Sequence, residues 1–174
     1  QVIQRQTQLL QGRDWFLGYS PERINPGDHE HTLASVVKVI AGENPEVTER
    51  MAQIYEKVCL AGLHRAPSIK VAEMAKVIEN TQRDLNIALV NELSQIASRE
   101  GIDIKDVLDA AGTKWNFLRY QPGLVGGHCL PEDPYYLALR AISKGIIPRI
   151  ILAGRQVNDA MPSEVTDKII KGLN

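Results

Sequence analysis

Long apolar runs are missing from this 174-residue sequence. No segment approaches the roughly 20 consecutive apolar residues that a bilayer-crossing helix needs, so no membrane partner is expected. A surplus of either charge is missing too. Twenty Lys and Arg stand against 21 Asp and Glu, leaving a net charge of -1. That balance argues against nucleic acid and against an anionic membrane surface as partners. Cysteine is scarce. Cys59 and Cys129 lie far apart and form no disulfide framework, so reduced thiols in a cytoplasm are expected. No charged start with an apolar core and a cleavage site opens the chain, and no secretory leader is expected. Gln1 rather than Met stands first, and the chain is expected to be a piece of a longer one. Internal repeats and low-complexity segments are also lacking.

What is present is ordinary globular material, 44% hydrophobic and 24% charged. Residues 1–13 read as the tail of a helix ending near Gly12. Strands are expected at 15–20, 36–40 and 58–63, where short apolar or β-branched runs meet turn formers. Asn44-Pro45-Glu46 forms a helix start, with an N-cap, a proline at the first helical position and an acid behind it. A dominant helix is expected from Ser68 to about Glu100, because no Gly or Pro interrupts it before Gly101. Shorter helices are expected at 103–111, 134–144, 148–158 and 162–171. The chain thus begins as an α/β fragment, resembling the last strands of a larger sheet, and becomes all helical.

The densest chemistry lies in Pro122-Gly123-Leu124-Val125-Gly126-Gly127-His128-Cys129-Leu130-Pro131-Glu132-Asp133-Pro134. Glycines let the backbone approach a ligand closely. Prolines 131 and 134 stiffen the turn that holds Cys129 and Asp133 near each other. A thiol in that setting suits a nucleophile. Cys59 reads as a small buried hydrophobe.

The long helix has two faces. Val71, Ile78, Leu85, Leu89 and Ile96 share a narrow arc and are expected to bury against other helices or a partner subunit. Lys76 lies opposite, with Asn80, Arg83 and Asn91 within about 60° of it. That stripe is either a solvated face or the wall of a site. His29 and His31 with Asp28 are read as a solvated loop, with no metal.

Four segments resemble the UDP-glucose/UDP-N-acetylhexosamine/GDP-mannose 6-dehydrogenase family. They are Gly18 to Asp28 (GYSPERINPGD), Ala72 to Thr81 (AEMAKVIENT), Asn91-Glu92-Leu93, and the Cys129 loop. The PERINPGD form and GGHC are similar to the N-acetylhexosamine branch, as is Lys114 to Leu118. The resemblance implies NAD as cofactor and a nucleotide-sugar substrate of UDP-N-acetylglucosamine or UDP-N-acetylgalactosamine type. UDP-N-acetylmannosamine, UDP-glucose and GDP-mannose remain alternatives. It also implies a domain plan: 1–42 as the end of an NAD-binding Rossmann domain, 43–162 as a central helical domain, and 163–174 leading toward a nucleotide-binding domain. A homodimer through helix 68–100 is implied as well. No G-x-G-x-x-G follows a strand, so the dinucleotide phosphate cradle is missing from this sequence.

By the same resemblance, the reaction takes a sugar CH₂OH to a carboxylate. Cys129 would attack the aldehyde to give a thiohemiacetal and then a thioester. Lys76 and Asn80 would face the C6 oxygen, Asp133 would accept protons or keep Lys76 charged, and Glu22 would activate the hydrolytic water. Arg23, Ile24, Tyr120, Gly123, Gly126, Gly127 and His128 would contact substrate. Two departures from the UDP-glucose branch stand out. Pro26 replaces a second glutamate of its turn, and Glu132 stands where that branch often carries lysine. Two other classes remain open: a dimerisation module with no activity of its own, and a cysteine hydrolase using His64.

Overall fold

A computed structural model describes residues 2–25 and 27–173. Gln1, Pro26 and Asn174 lie outside the described residues, and so does the departure noted at Pro26. The chain forms two compact units, divided between Lys76 and Val77.

In the first unit, α1 (Val2–Thr7) stops earlier than Gly12 because Gln8 takes a φ of 60° and the Thr7 hydroxyl accepts the Leu9 N–H. β1 (Gly18–Tyr19) pairs antiparallel with β2 (Lys38–Gly42), and β2 pairs parallel with β3 (Leu63–Arg65). The helix α2 (Pro45–Tyr55) joins the two parallel strands, making a β-α-β unit. β1 is shorter than the expected 15–20 run, and Phe16 and Leu17 stay exposed. β3 starts later than expected. The N–H groups of Val58 and Cys59 turn back onto Tyr55, and Gly62 makes the reversal at a φ of 97°. All five residues of β2 are buried, and Val39 and Ala41 pack with Ala66 and Ala72 into a small core. At the start of α2 the Asn44 carboxamide accepts the Val47 N–H, the cap foreseen for it.

The helix α3 runs from Ile69 to Arg99, about 46 Å at 1.5 Å per residue. Ser68 Oγ accepts the Val71 N–H at its start, and Gly101, at a φ of 70°, follows its end. The division between the two units falls within this helix. In the second unit α4 (Ile104–Ala111) is capped by Asp103, and α5 (Asp133–Ile142) and α6 (Arg149–Leu173) follow. Two separate helices were expected at 148–158 and 162–171, but α6 is continuous, with Pro162 inside it. A proline there removes its own N–H donor and crowds the carbonyl four residues back, at a cost of about 3 kcal/mol, without ending the helix. The turn beyond it is closed by Thr166 Oγ1, which donates to the Pro162 carbonyl. The molecule is mainly α, a small mixed sheet followed by helices built on one long rod.

The polarity of that rod is inverted relative to a simple amphipathic helix. Val71, Ile78, Leu89 and Ile96 are 44–55% exposed, whereas Asn80, Asp84 and Asn91 are at most 2% exposed. Leu85 of the same stripe is half-buried with its Cδ2 against Gly154 of α6, but Val71, Ile78, Leu89 and Ile96 are not covered by the chain's own helices. The polar stripe is not a solvated face.

Candidate active site

The glycine run ends in a sharp bend. Gly127 has a φ of 88°, a left-handed conformation in which a side chain would be strained. Cys129 follows, exposed and unpaired as a thiol, whereas Cys59 is 2% exposed in the first unit. The Cys129 carbonyl accepts the Asp133 N–H at 2.9 Å and the Glu132 N–H at 3.2 Å. It thereby serves the first free donors of α5 and welds the thiol-bearing residue to the helix start. Pro134 is buried in the first turn, where its missing N–H costs nothing.

Asp133 opens α5 and accepts a 2.6 Å hydrogen bond from Asn80 Nδ2 of α3. Of the proposed catalytic residues, Asn80 and Asp133 thus meet through their side chains in the second unit, and Cys129 is joined to Asp133 through its backbone carbonyl. Gly126, Gly127 and His128 are exposed beside Cys129, and Tyr120 is half-buried further upstream. Asn91 makes a paired contact with the backbone of Gly123. Its Oδ1 accepts the Gly123 N–H at 2.8 Å and its Nδ2 donates to the Gly123 carbonyl at 3.0 Å.

Behind Asn91 lies a buried polar network that the sequence reading missed. Asn91 Nδ2 also donates to Asn158 Oδ1 at 2.9 Å, and Asn158 Nδ2 donates to the Asp84 carboxylate at 2.8 Å and the Asp84 carbonyl at 3.0 Å. Arg155 Nη1 donates to the same Asp84 oxygen at 2.6 Å, and its Nη2 to Asp159. Asp159 accepts the Tyr135 hydroxyl at 2.6 Å, and the guanidinium lies 5.5 Å from the Tyr135 ring centre. Burial alone would lower the Arg155 pKa, but the Asp84 and Asp159 charges outweigh it and hold it raised. The Asp159 carboxylate likewise pushes the Tyr135 phenol up. A sequence signal existed: Arg155, Asn158 and Asp159 are spaced to share one helix face, as Asp84 and Asn91 are on α3.

In the first unit, Glu22 is exposed and its Oε1 accepts the N–H groups of Ile24 and Arg23 at 2.8 and 2.7 Å. The Ile24 bond is the main cause holding its carboxyl below the usual range, and Lys38 and Lys76 act in the same direction. Lys38 Nζ donates to the Pro21 carbonyl at 3.0 Å, fixing this turn from inside. Arg23 is exposed and Ile24 half-buried, while Lys76 is half-buried on α3, one helical turn before Asn80. His31 Nδ1 meets Asp28 Oδ2 at 2.8 Å within an exposed loop. Among the described residues no three His, Cys, Asp or Glu gather as metal ligands, and no helix is long and apolar enough to cross a membrane.

The turn from β2 into α2 is the place in this chain to test for a dinucleotide phosphate. It does not fit one. A Cβ at Gly42 would stand 2.5 Å from the Thr48 backbone nitrogen and 2.7 Å from Val47 Cβ, so this glycine serves the chain's own helix packing. Its N–H is taken by Thr48 Oγ1, the α2 terminus is taken by Asn44, and Glu43 adds a negative charge.

The chain is 56% identical over 172 residues to a UDP-N-acetyl-D-glucosamine 6-dehydrogenase of Pseudomonas aeruginosa, covering 99% of this chain and 41% of that protein. It is 34% identical over 165 residues to a UDP-N-acetyl-D-mannosamine dehydrogenase of Methanocaldococcus jannaschii, covering 94% of this chain and 37% of that one. A solved UDP-D-ManNAc dehydrogenase structure from Pyrococcus horikoshii superposes with a TM-score of 0.87 at 29% identity, over 99% of this chain and 40% of its own. The chain therefore spans about two fifths of the length of the relatives it matches. Residues 70–160 match the central-domain model of one family, and the chain belongs to it: the UDP-glucose/GDP-mannose dehydrogenase family.

Proposed function

We propose that this chain is the central part of a nucleotide-sugar 6-dehydrogenase that oxidises a UDP-N-acetylhexosamine of the glucosamine or galactosamine type to its uronic acid. The observation carrying this reading is the exposed Cys129 thiol at the head of α5, beside an Asp133 that Asn80 holds at 2.6 Å. The 56% identity to a UDP-N-acetyl-D-glucosamine 6-dehydrogenase, against 34% to a UDP-N-acetyl-D-mannosamine dehydrogenase, supports the choice of sugar.

NAD is the electron acceptor this assignment requires. Among the described residues the turn from β2 into α2 offers no cradle for its pyrophosphate, so only the chain's own residues are given roles. Cys129 adds through sulfur to the C6 aldehyde and later carries the acyl group as a thioester. Lys76 and Asn80 stabilise negative charge on O6; loss of one such donor typically costs roughly 10²–10³ in rate. Asp133, tied to Asn80, receives protons through water. Glu22 orients the hydrolytic water. Its depressed pKa makes it a poor acceptor of a full proton but keeps it anionic across the neutral range. Arg23, Ile24, Tyr120, Gly123, Gly126, Gly127 and His128 are assigned to substrate contact. Residues 1–42 are assigned to the end of the NAD-binding domain, 43–162 to the central domain and 163–174 to the approach to a further domain. A cytoplasmic setting follows from the substrate and the reduced thiol.

The test is the full-length protein given NAD⁺ with each of UDP-N-acetylglucosamine, UDP-N-acetylgalactosamine, UDP-N-acetylmannosamine, UDP-glucose and GDP-mannose. Two NADH per carboxylate formed, fastest with UDP-N-acetylglucosamine or UDP-N-acetylgalactosamine, is expected. Turnover confined to UDP-glucose or GDP-mannose refutes the assignment of the sugar.

The exposed stripe on α3 is assigned to a homodimer. Leu89 and Ile96 are 55% and 53% exposed in the single chain, so Leu89→Asp with Ile96→Asp removes little internal packing. Burying two charges in an apolar interface is unfavourable by several kcal/mol, about the free energy of a hundredfold or greater loss of affinity. Sedimentation is expected to show monomer at concentrations where the parent is dimeric. An unchanged dimer would place the interface elsewhere.

A further inference from the structure

We propose that Asn91 is a positioning residue for Cys129, and that Asp84, Arg155 and Asn158 are present to aim its carboxamide. This rests on the nucleophilic role assigned above to the thiol.

Residues 113–132 form a long segment with no helix or strand of its own. Such a segment samples many conformations unless it is tied down. Its reactive part is held at both ends by the same helix. Asn91 binds both backbone groups of Gly123, six residues before Cys129. Asn80 holds Asp133, four residues after it. Asn80 and Asn91 are eleven positions apart, so they differ by only about 20° around α3 and by about 16 Å along it. Both side chains are at most 2% exposed. The helix thus sets the span across which the Gly123–Asp133 loop is strung, and the thiol sits within that span.

An asparagine can do this only in one of its two amide orientations, because the flipped form presents oxygen to the Gly123 carbonyl. The network removes that choice. Asn158 Oδ1 takes the second Nδ2 proton of Asn91. Asn158 is itself oriented because its Nδ2 donates to the Asp84 carboxylate and carbonyl. Arg155 fixes Asp84 and, through Asp159, reaches the Tyr135 hydroxyl. Tyr135 lies on α5, six residues after Cys129. One continuous set of hydrogen bonds therefore begins six residues before the thiol and returns to the chain six residues after it.

Packing energy is a poor account of this arrangement. Asp84 and Arg155 are 0% and 2% exposed, and Asp84 Oδ2 and Arg155 Nε are buried with no hydrogen-bond partner among the described residues. Well-packed apolar residues stabilise such a place at least as well as a buried ion pair. What apolar residues cannot do is fix an amide orientation.

The step at stake is addition of the thiolate to the C6 aldehyde. The C–S bond forms, the carbonyl π pair moves onto O6, and O6 takes a proton. It needs sulfur within about 3–3.5 Å of the carbon, and a misplacement of about 1 Å costs roughly 10² in rate. Forming the aldehyde does not need the thiol. A loosened loop should therefore release aldehyde.

The experiment compares Asn91→Ala, Tyr135→Phe and the parent as full-length proteins turning over UDP-N-acetylglucosamine. Aldehyde is trapped with a hydrazine and carboxylate is counted alongside it. Amide hydrogen exchange is followed across 119–131, with α2 as the internal reference. Asn91→Ala is expected to speed exchange at 123–129 by roughly tenfold or more and to raise the aldehyde-to-carboxylate ratio by a similar factor. Tyr135→Phe, which alters a side chain 41% exposed, is expected to fold normally and to raise the ratio by a smaller factor. Unchanged exchange in Asn91→Ala overturns the proposal, and so does faster exchange with an unchanged product ratio. If Asn91→Ala does not fold, an unchanged ratio in Tyr135→Phe overturns it. Failure of the underlying assignment shows up in a different protein: undiminished carboxylate release by Cys129→Ala removes the thiol's role altogether.

Discussion

Replacing Cys129 by alanine in the full-length protein is expected to abolish carboxylate release while leaving the first oxidation measurable. Removing a covalent nucleophile typically costs roughly 10³-fold or more in the step that uses it. The exposure of Cys129 makes the experiment clean. The side chain packs against little, so the substitution should hardly change stability, and a loss of product reports chemistry. Cys129→Ser should behave almost the same, because a serine hydroxyl without an adjacent base is a poor nucleophile near neutral pH. Alkylation gives an independent check. Cys59 is 2% exposed, so a small alkylating reagent applied to the native protein should label Cys129 and spare Cys59, and inactivation should keep step with labelling of Cys129. A variant that forms carboxylate at the parent rate would rule out the thioester route.

Much of this molecule is legible in its sequence, for reasons that differ from element to element. The Asn44-Pro45-Glu46 start, the short helix expected at 103–111 and the uninterrupted run from Ser68 to about Glu100 follow from local backbone chemistry, which needs no tertiary context. The Cys129 loop stands out because glycine, proline and a lone thiol seldom coincide without a use. Strand ends were less legible. Val58 looks like a strand former, yet its N–H closes the turn after α2, and a β-branched residue gives no warning of that. Pro162 reads as a helix breaker because local rules count the donor it removes; they do not count the turns on either side that hold α6 together. Periodicity located the two faces of α3 but not what covers each. A stripe of Ile and Leu says that something apolar belongs there, and only coordinates show that α6 covers Leu85 and that Ile78, Leu89 and Ile96 are left bare. The partners of Asn91 were hidden for the same reason. Asp84 and Asn158 are 74 positions apart, and no spacing rule joins residues on different helices.

The buried pair of Asp84 and Arg155 should show the largest effect on stability. Asp84→Ala is expected to lower unfolding free energy by about 3–5 kcal/mol, read by urea denaturation of the full-length protein. The cause is the guanidinium left behind, not the lost attraction alone. Arg155 would remain 2% exposed with Asp159 as its one remaining carboxylate, and Asn158 would lose the acceptor that orients it. A paired replacement separates the two consequences. Asp84→Leu with Arg155→Met removes both charges and fills similar volume, so most of the stability should return. The amide orientation should not return, since Asn158 would keep only the Asp84 backbone carbonyl as acceptor. The double variant is therefore expected to be as stable as the parent to within about 1 kcal/mol and still to release aldehyde. A paired variant that is both stable and normal in its products would mean that the charges in this core serve neither stability nor the placement of the thiol. A double variant no more stable than Asp84→Ala would show that the polar core supports the packing of α3 on α6, and that its contribution to the fold exceeds what isolated buried ion pairs provide.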